Sequence, residues 1–150
     1  MLDTKLGIGM KKLNQSASAI FNKLVEGLDQ VGDAKKIDNA PGCFMAEHVD
    51  YIWKNKHGRH YAIGHHYIQE GDVMNDPEMV FLASVAGIFP MSFQQDNLGL
   101  YQVAILAEDN ASLRYAPKLQ ASLTIFTNDW MENIRQQQNL NISAPDAPAP

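Results

Sequence analysis

The residues best suited to chemistry crowd into one segment, 60–81, with the sequence HYAIGHHYIQEGDVMNDPEMVF. It holds three histidines and four carboxylates: His60, His65, His66, Glu70, Asp72, Asp76 and Glu78. Imidazoles and carboxylates bind divalent metals and also carry general acid–base catalysis. The segment is therefore either the core of a metal or catalytic site, or a strand, a turn and the start of the next strand.

The histidine spacing argues against a metal site built from two imidazoles. Residues 60–69 are rich in aromatic and β-branched side chains, which favours a strand. In a strand His65 and His66 point to opposite faces. His60 and His66 share a face, but six residues of strand span roughly 20 Å. Zinc–nitrogen bonds are about 2 Å long, so these two imidazoles cannot share one zinc ion.

A site that joins one histidine to the acidic residues remains open. It would combine His65 or His66 with Asp72 and Asp76, and it would make the chain a metal-dependent enzyme of the hydrolase type. In the competing interpretation both aspartates accept hydrogen bonds from turn amides, as Asp does in tight turns. We therefore assign no catalytic residue and no cofactor, and keep a divalent metal ion as the alternative.

Other catalytic signatures are missing from the sequence, which has neither a Gly-rich phosphate loop nor a G-x-S-x-G turn. Cys43 is the only cysteine, which excludes an internal disulfide and a cysteine-ligated zinc site. We expect Cys43 to be a buried, reduced thiol. The sequence has no apolar run of membrane-spanning length, and Lys11 and Lys12 fall where a secretion signal needs apolar residues. These features predict a cytoplasmic protein.

The charges are distributed unevenly along the chain. The net charge is −5, and no Lys or Arg lies between Arg59 and Arg114, a stretch that holds seven carboxylates. A surface of one sign attracts a partner of the opposite sign. We therefore expect a protein partner with a basic surface, and neither a nucleic acid nor a membrane.

Apolar periodicity predicts the α+β class. Steps of three and four residues over 16–32 predict an N-terminal helix, followed by a polar connector. From Phe44 the period changes to two, which predicts an antiparallel meander of about five strands, with a turn over 71–78. After Pro117 the helical period returns, which predicts a long C-terminal helix. We expect both helices to pack across the sheet.

Composition predicts the domain organisation of the 150 residues. Residues 1–13 lack a helical or strand period and are expected to be a flexible lead-in. Residues 14–140 are long enough to form a single α+β domain with its own core. Residues 141–150 are a Pro/Ala tail with too little apolar mass to fold, and we expect this tail to be disordered.

Two blocks of the sequence resemble an uncharacterised bacterial domain family. The first is Gln-x-Gly-Asp-x-Met-x-Asp-Pro-Glu-Met at 69–79, and the second is Ser-Phe-Gln-x-Asp-x-x-Gly-x-Tyr-Gln at 92–102. Members of that family are small proteins that are often carried by plasmids and other mobile elements. The resemblance extends over 14–140. It implies a cytoplasmic protein of a mobile element and supplies no reaction.

The two blocks bracket neighbouring strands, so their turns can fall at the same end of a meander. We expect one polar binding site at that end. Its predicted residues are Asp72, Asp76, Glu78, Gln94, Asp96 and Tyr101. The expected function is non-enzymatic protein binding through an acidic sheet face, with an inhibitory or counter-defence role. The alternatives are the metal-dependent enzyme and a structural module that forms a homodimer through an edge strand or the C-terminal helix.

Overall fold

The computed structural model describes residues 9–142 and the backbone of Leu2–Asp3. Within these residues the chain forms two α-helices, nine strands and one 3₁₀ turn. The elements are β1 (Leu2–Asp3), α1 (Gln15–Val25), β2 (Ala34–Ile37), β3 (Glu47–Asn55), β4 (Gly58–Gln69), β5 (Asp72–Ser84), β6 (Gly87–Gln95), the 3₁₀ turn (Asp96–Leu98), β7 (Leu100–Val103), β8 (Ile105–Leu106), β9 (Arg114–Tyr115) and α2 (Pro117–Gln137).

Six of the strands form one large antiparallel sheet in the order β2-β3-β4-β5-β6-β7. Each strand pairs with its neighbour in sequence, so the predicted α+β class and meander are confirmed. The strand beyond the predicted five is β2, which lies in the segment predicted to be a polar connector. It is a short, polar edge strand that pairs Lys35 with Val49 and Lys36 with His48. Short, charged edge strands resist pairing with other chains.

The prediction of a turn over 71–78 is wrong. β5 runs without a break from Asp72 to Ser84, and the turn consists of Glu70 and Gly71 alone. Their φ angles are 51° and 86°. Positive φ at both central residues is the geometry of a type I′ hairpin turn, which leaves the flanking residues free to pair as strands. Pro77 lies inside β5, at an irregularity in its pairing with β4, where strands tolerate proline.

Both helices pack on one face of the large sheet, as the sequence predicts. The main core contains buried apolar residues from α1, α2 and the four strands β3 to β6. Among them are Ile20, Phe21, Leu24, Val49, Ile63, Met79, Phe81, Leu123, Met131 and Ile134. The Phe21 ring lies 5.6 Å from Tyr61 and 5.2 Å from Phe81, measured between ring centroids. Burial of this apolar surface is the main force that holds the helices on the sheet.

A small sheet, in the order β1-β9-β8, covers part of the opposite face of the large sheet. The buried residues between the two sheets are Met10, Leu82, Phe89, Met91, Ile105, Ala107, Leu113 and Tyr115. The chain leaves the large sheet at Ala104, whose N–H donates to the carbonyl of Met91 over 2.7 Å. The part of this face near the β4–β5 hairpin instead carries exposed side chains, including Ile68, Val73 and Tyr101.

The folded region begins before residue 14. Met10 and Leu13 are buried, and the Leu13 N–H donates to the carbonyl of Ile88 over 2.8 Å. At the other end Ile142 packs against the main core. Residues 1 and 4–8 of the predicted lead-in, and residues 143–150 of the predicted tail, lie outside the described residues. No helix in the described part of the chain is long and apolar enough to span a membrane.

Cys43 corrects one prediction about side-chain burial. It lies in the turn before β3, where its N–H donates to the carbonyl of Ala40 over 3.0 Å, and it is exposed. The expectation of a buried thiol is therefore wrong. The reason is local: Pro41 and Gly42 hold the segment in a surface turn, so the apolar alternation of β3 starts only after it.

Candidate functional site

The two adjacent histidines of β4 lie on opposite faces of the large sheet. The His65 ring faces the helices and lies 6.1 Å from the ring of Trp130 on α2. The His66 ring stacks on His48, with the ring centroids 4.7 Å apart. The predicted opposition of these side chains is confirmed. The histidines therefore belong to two separate polar clusters.

The first cluster is a buried pair between β3 and β4. His65 Nε2 lies 2.7 Å from Glu47 Oε1, and the Glu47 side chain is 0% exposed. Apart from this contact, the two Glu47 oxygens and His65 Nδ1 have no hydrogen-bond partner among the described residues. Burying a carboxylate is costly unless a charge compensates it. The short distance indicates that charge attraction holds the pair.

The surroundings of His65 raise its pKa. Burial is the largest single influence and lowers the pKa, but the contact with Glu47, the charge of that carboxylate and two further groups together outweigh it. The Ala46 backbone and the Asp76 carboxylate act in the same direction. Asp76 reaches this side because Asp76 and Pro77 together stand opposite the single residue His65, which makes a β-bulge. The net effect favours the imidazolium form.

The second cluster lies on the face turned away from the helices. One row of paired positions crosses five strands, from His48 on β3 through Gly64, Glu78 and Gln94 to Tyr101 on β7. Paired residues of antiparallel strands point to the same face. We call the exposed part of this face the open face. Its residues are His48, His66, Ile68, Val73, Asn75, Glu78, Gln94, Asp96 and Tyr101.

Hydrogen bonds fix the carboxylates of the open face. His66 Nε2 lies 3.0 Å from Glu78 Oε2. Asp96 Oδ2 accepts from the backbone N–H of Asn75 at 2.8 Å and from its side-chain amide at 3.0 Å. Asp96 Oδ1 accepts from Gln94 Nε2 at 2.9 Å. The bond from the Asn75 backbone, followed by the one from Gln94, lowers the pKa of Asp96. Asp96 is therefore ionised at neutral pH.

The histidine stack on the open face favours a neutral ring at His48. Burial lowers the pKa of His48, and the neighbouring charge of His66 lowers it further. The two rings are stacked with their centroids 4.7 Å apart, so a cation at His48 would lie close to any charge on its neighbour. Lys36 of the edge strand β2 pairs with His48 and lowers its pKa in the same direction, so this end of the row carries a cation and the carboxylates lie nearer its other end.

Large apolar side chains adjoin these polar groups. Ile68 and Val73 are paired across the β4–β5 hairpin, and they are 68% and 61% exposed. Tyr101 on the edge strand β7 is 65% exposed, and Leu98 in the 3₁₀ turn is 71% exposed. Exposed apolar side chains grouped within a polar surround mark interaction surfaces on soluble proteins.

Comparison with known proteins gives a family. Residues 15–140 match the family described as a domain of unknown function (DUF6908). The chain belongs to this family. The match runs from the start of α1 to just beyond α2 and includes both polar clusters. Searches of curated proteins and of solved structures gave no match.

The DUF6908 domain places four of the six predicted binding residues on the open face. They are Glu78, Gln94, Asp96 and Tyr101. The other two lie apart from them. Asp76 accepts a hydrogen bond from Gln95 on the helix side of the sheet. Asp72 pairs with Gln69 at the base of the exposed hairpin turn, one residue from Val73 and on the other face.

Four residues of the open face were missed in the sequence, the apolar Ile68 and Val73 and the polar His48 and Asn75. The register of strand pairing decides which residues His48 meets, and the bulge at Asp76 and Pro77 decides which way Asn75 points relative to Glu78. The alternation of His48 and Asp50 with Val49 and Tyr51 is the one signal that marks a polar face on β3. In the described part of the chain, no three His, Cys, Asp or Glu side chains are grouped so that they could hold a metal ion.

Proposed function

We propose that this DUF6908 domain is a non-enzymatic binding module that docks its open face on a basic surface of another protein. The observation that carries the proposal is the placement of exposed apolar side chains and fixed carboxylates on one uncovered part of a sheet. Protein interfaces combine apolar anchors at the centre with a polar rim. The open face offers both apolar anchors and polar groups within three neighbouring rows of paired residues.

The charges of the face favour a basic partner. Glu78 and Asp96 lie on it, and Glu70 and Asp72 flank it at the hairpin turn. Residues 60–113, which build most of β4 and all of β5 to β8, contain no Lys or Arg, and Lys36 of β2 lies beside His48 at the opposite end of the row from Tyr101. Complementary charge speeds association and excludes partners of the wrong sign. A partner surface rich in Lys or Arg is therefore the match.

The apolar residues supply the anchors of the proposed interface. Tyr101 is 65% exposed and lies at the end of the polar row that starts at His48. Tyrosine is enriched among the residues that dominate binding energy, because it combines a large apolar area with a hydroxyl. Ile68 and Val73 add apolar area beside His66 and Asn75. We assign the centre of the interface to Tyr101 and the Ile68–Val73 pair.

The hydrogen bonds of the face also reduce the cost of binding. Asp96 is held by Asn75 and Gln94, and Glu78 is held by His66. Side chains that are already ordered lose less conformational entropy when a partner binds. The face is thus preorganised, in the sense that its carboxylates keep one arrangement in the free protein.

The proposal extends to the biological setting. Residues 69–79 and 92–102 resemble small proteins carried by bacterial plasmids and mobile elements. We assign the protein to that setting, in the cytoplasm, where it inhibits a host or element-encoded protein that has a basic surface. A counter-defence role follows if that partner is a nuclease or another defence protein with a basic nucleic-acid channel, since such channels present the required charge.

Charge reversal tests the proposal. Affinity purification with the wild-type protein from cells that carry its gene identifies partners, and calorimetry with the purified partner measures affinity. We expect Glu78→Lys combined with Tyr101→Lys to weaken binding by more than about tenfold, because both the charge match and an anchor are lost. Asp129→Lys is the matched control, since Asp129 is exposed on α2. Equal affinities for all three proteins contradict the proposal.

A further inference from the structure

A second candidate site lies at the other end of the large sheet, on the helix side. A cleft of about 780 Å³ opens between α1 and two neighbouring hairpin turns, β3–β4 and β5–β6. This volume falls within the range of about 300–1,000 Å³ that is typical of small-molecule sites. The cleft shares no residue with the open face, so its role is independent of the proposed protein interface.

The charges of the cleft have the opposite sign to those of the open face. Lys56 and Arg59 of the β3–β4 hairpin line it, together with His57. The described residues that line it include neither Asp nor Glu. A cleft lined by one sign of charge concentrates ligands of the opposite sign, even in a protein whose net charge is −5.

Arg59 is held in place before any ligand arrives. Its guanidinium carbon lies 5.5 Å from the centroid of the Tyr51 ring, a cation–π distance. Its Nη1 lies 3.5 Å from the hydroxyl of Tyr61. A positioned guanidinium can bind a phosphate through two parallel hydrogen bonds, which a flexible ammonium cannot do.

Contacts of His57 anchor the hairpin that carries Lys56 and Arg59. His57 Nε2 lies 3.0 Å from the carbonyl oxygens of both Glu108 and Ala111. The backbone N–H of His57 donates to Asn55 Oδ1 at 3.0 Å. These contacts occupy His57 and leave the two cations as the charged groups that can meet a ligand.

Neutral polar and apolar groups complete the cleft. Ser18, Asn22 and Ser84 bring hydroxyl and amide groups to its lining. Its apolar part consists of the half-buried Val25 and the exposed Val85, with the buried Phe21 and Ile88 behind them. This combination of two cations, a few neutral donors and an apolar wall suits a ligand that has an anionic end and a flat, less polar body.

We propose that the cleft binds a small phosphorylated molecule of nucleotide type. Arg59 and Lys56 hold its phosphates, and the apolar wall contacts its planar base. The chemistry of the lining carries this assignment, because a guanidinium contacted by two tyrosines, with a second cation lining the same cleft, matches the charge of phosphate oxygens.

Isothermal titration calorimetry with ATP tests the proposal at fixed, moderate salt. We expect saturable binding with one ATP per protein. Arg59→Ala should weaken it by about tenfold or more, because a charge-assisted contact is lost. Arg114→Ala is the matched control, since Arg114 is an exposed residue of β9 outside the cleft lining, and its loss should leave the affinity unchanged. Absence of saturable ATP binding at millimolar concentration overturns the proposal, and so does equal weakening by both variants.

A second variant distinguishes loss of ATP binding from loss of folding, in case Arg59→Ala does not fold. Ser84 Oγ accepts the backbone N–H of Ala86 at 3.1 Å, and an Asp carboxylate can accept the same turn bond. Ser84→Asp should therefore keep the turn, place a negative charge in the cleft and abolish ATP binding. Tripolyphosphate should bind more weakly than ATP. Unchanged ATP binding by Ser84→Asp, or equal binding of tripolyphosphate, contradicts the assignment of the phosphates or of the base.

Discussion

The imidazole of His65 lies 2.7 Å from the carboxylate of Glu47, and Glu47 is fully buried. Glu47 shares its face of β3 with Val49 and Tyr51, which belong to the main core. A carboxylate in that position needs a cation, and His65 is the group that approaches it. The pair thus joins the start of β3 to the middle of β4 beneath Trp130 of α2.

Replacing His65 alone should destabilise the fold more than replacing both His65 and Glu47. We expect His65→Leu to lower the free energy of unfolding by about 3–5 kcal/mol, because it leaves the Glu47 charge buried and uncompensated. Adding Glu47→Leu should restore most of that loss, since two apolar side chains can replace a buried ion pair. Urea denaturation of both variants and the wild type measures the difference. A double variant that is less stable than His65→Leu contradicts this account.

The pair should also make stability depend on pH. The pKa of His65 is raised in the folded protein above its ordinary value of 6.5. The folded state therefore binds the proton more tightly than the unfolded state does. This contribution is fully present below pH 6.5 and is lost as the pH rises through the folded pKa. We expect the stability of the wild type to fall over that window relative to His65→Gln, as measured by urea denaturation at a series of pH values.

His60→Gln serves as the control for this pH dependence. Burial, followed by the charge of His57, lowers the pKa of His60. Its contribution therefore has the opposite sign, being present above the ordinary pKa and lost as the pH falls. If the stabilities of the wild type and His65→Gln change in parallel above pH 6.5, then Glu47 does not hold the proton on His65.

Gly64 should tolerate no larger residue, although its φ is not positive. A Cβ at Gly64 would lie 2.7 Å from the carbonyl oxygen of Pro77 and 2.9 Å from the Cα of Glu78. Forcing an extra methyl group against packed backbone usually costs about 1–3 kcal/mol. We expect Gly64→Ala to lower the thermal midpoint clearly. Gly71→Asn is the control, because nothing lies within 4 Å of Gly71 and Asn tolerates its positive φ. Similar midpoints for Gly64→Ala and the wild type contradict the close strand approach.

The period of the apolar residues was enough to predict most of the fold. Leu123, Trp130 and Ile134 repeat with helical spacing and are buried in α2, and the alternation after Phe44 becomes strands β3 to β7. Where the prediction failed, local chemistry was ambiguous. Pro77 suggested a turn, yet a bulge accommodates it inside β5. The polar segment that forms β2 carries no apolar alternation, since an edge strand buries little.

The binding site was less predictable than the fold because bulges and pairing decide side-chain direction. Glu78 and Asp76 are two residues apart and would share a face in a regular strand. The bulge places Glu78 beside His66 on the open face and leaves Asp76 beside Gln95 on the other side. The partner of His48 is also set by pairing between strands, which a single sequence does not contain.

The apolar anchors of the open face should matter for binding and not for folding. We expect Ile68→Ser to leave the thermal midpoint nearly unchanged, because Ile68 is 68% exposed. The same change should weaken partner binding by about 2 kcal/mol if Ile68 lies at the centre of the interface. Ile125→Ser is the control, since Ile125 is 69% exposed on α2. Equal effects of the two changes on affinity would place the interface elsewhere.

Site-specific photo-crosslinking in cells tests the central claim most directly. A p-benzoylphenylalanine in place of Tyr101 keeps an aromatic ring at the proposed centre of the open face, and the same group in place of Ile125 labels the solvent side of α2. We predict one discrete adduct from position 101, formed with a protein that has a basic surface, and its loss when Glu78→Lys is added. An adduct that forms equally from position 125, or that persists with Glu78→Lys, would contradict docking through the open face.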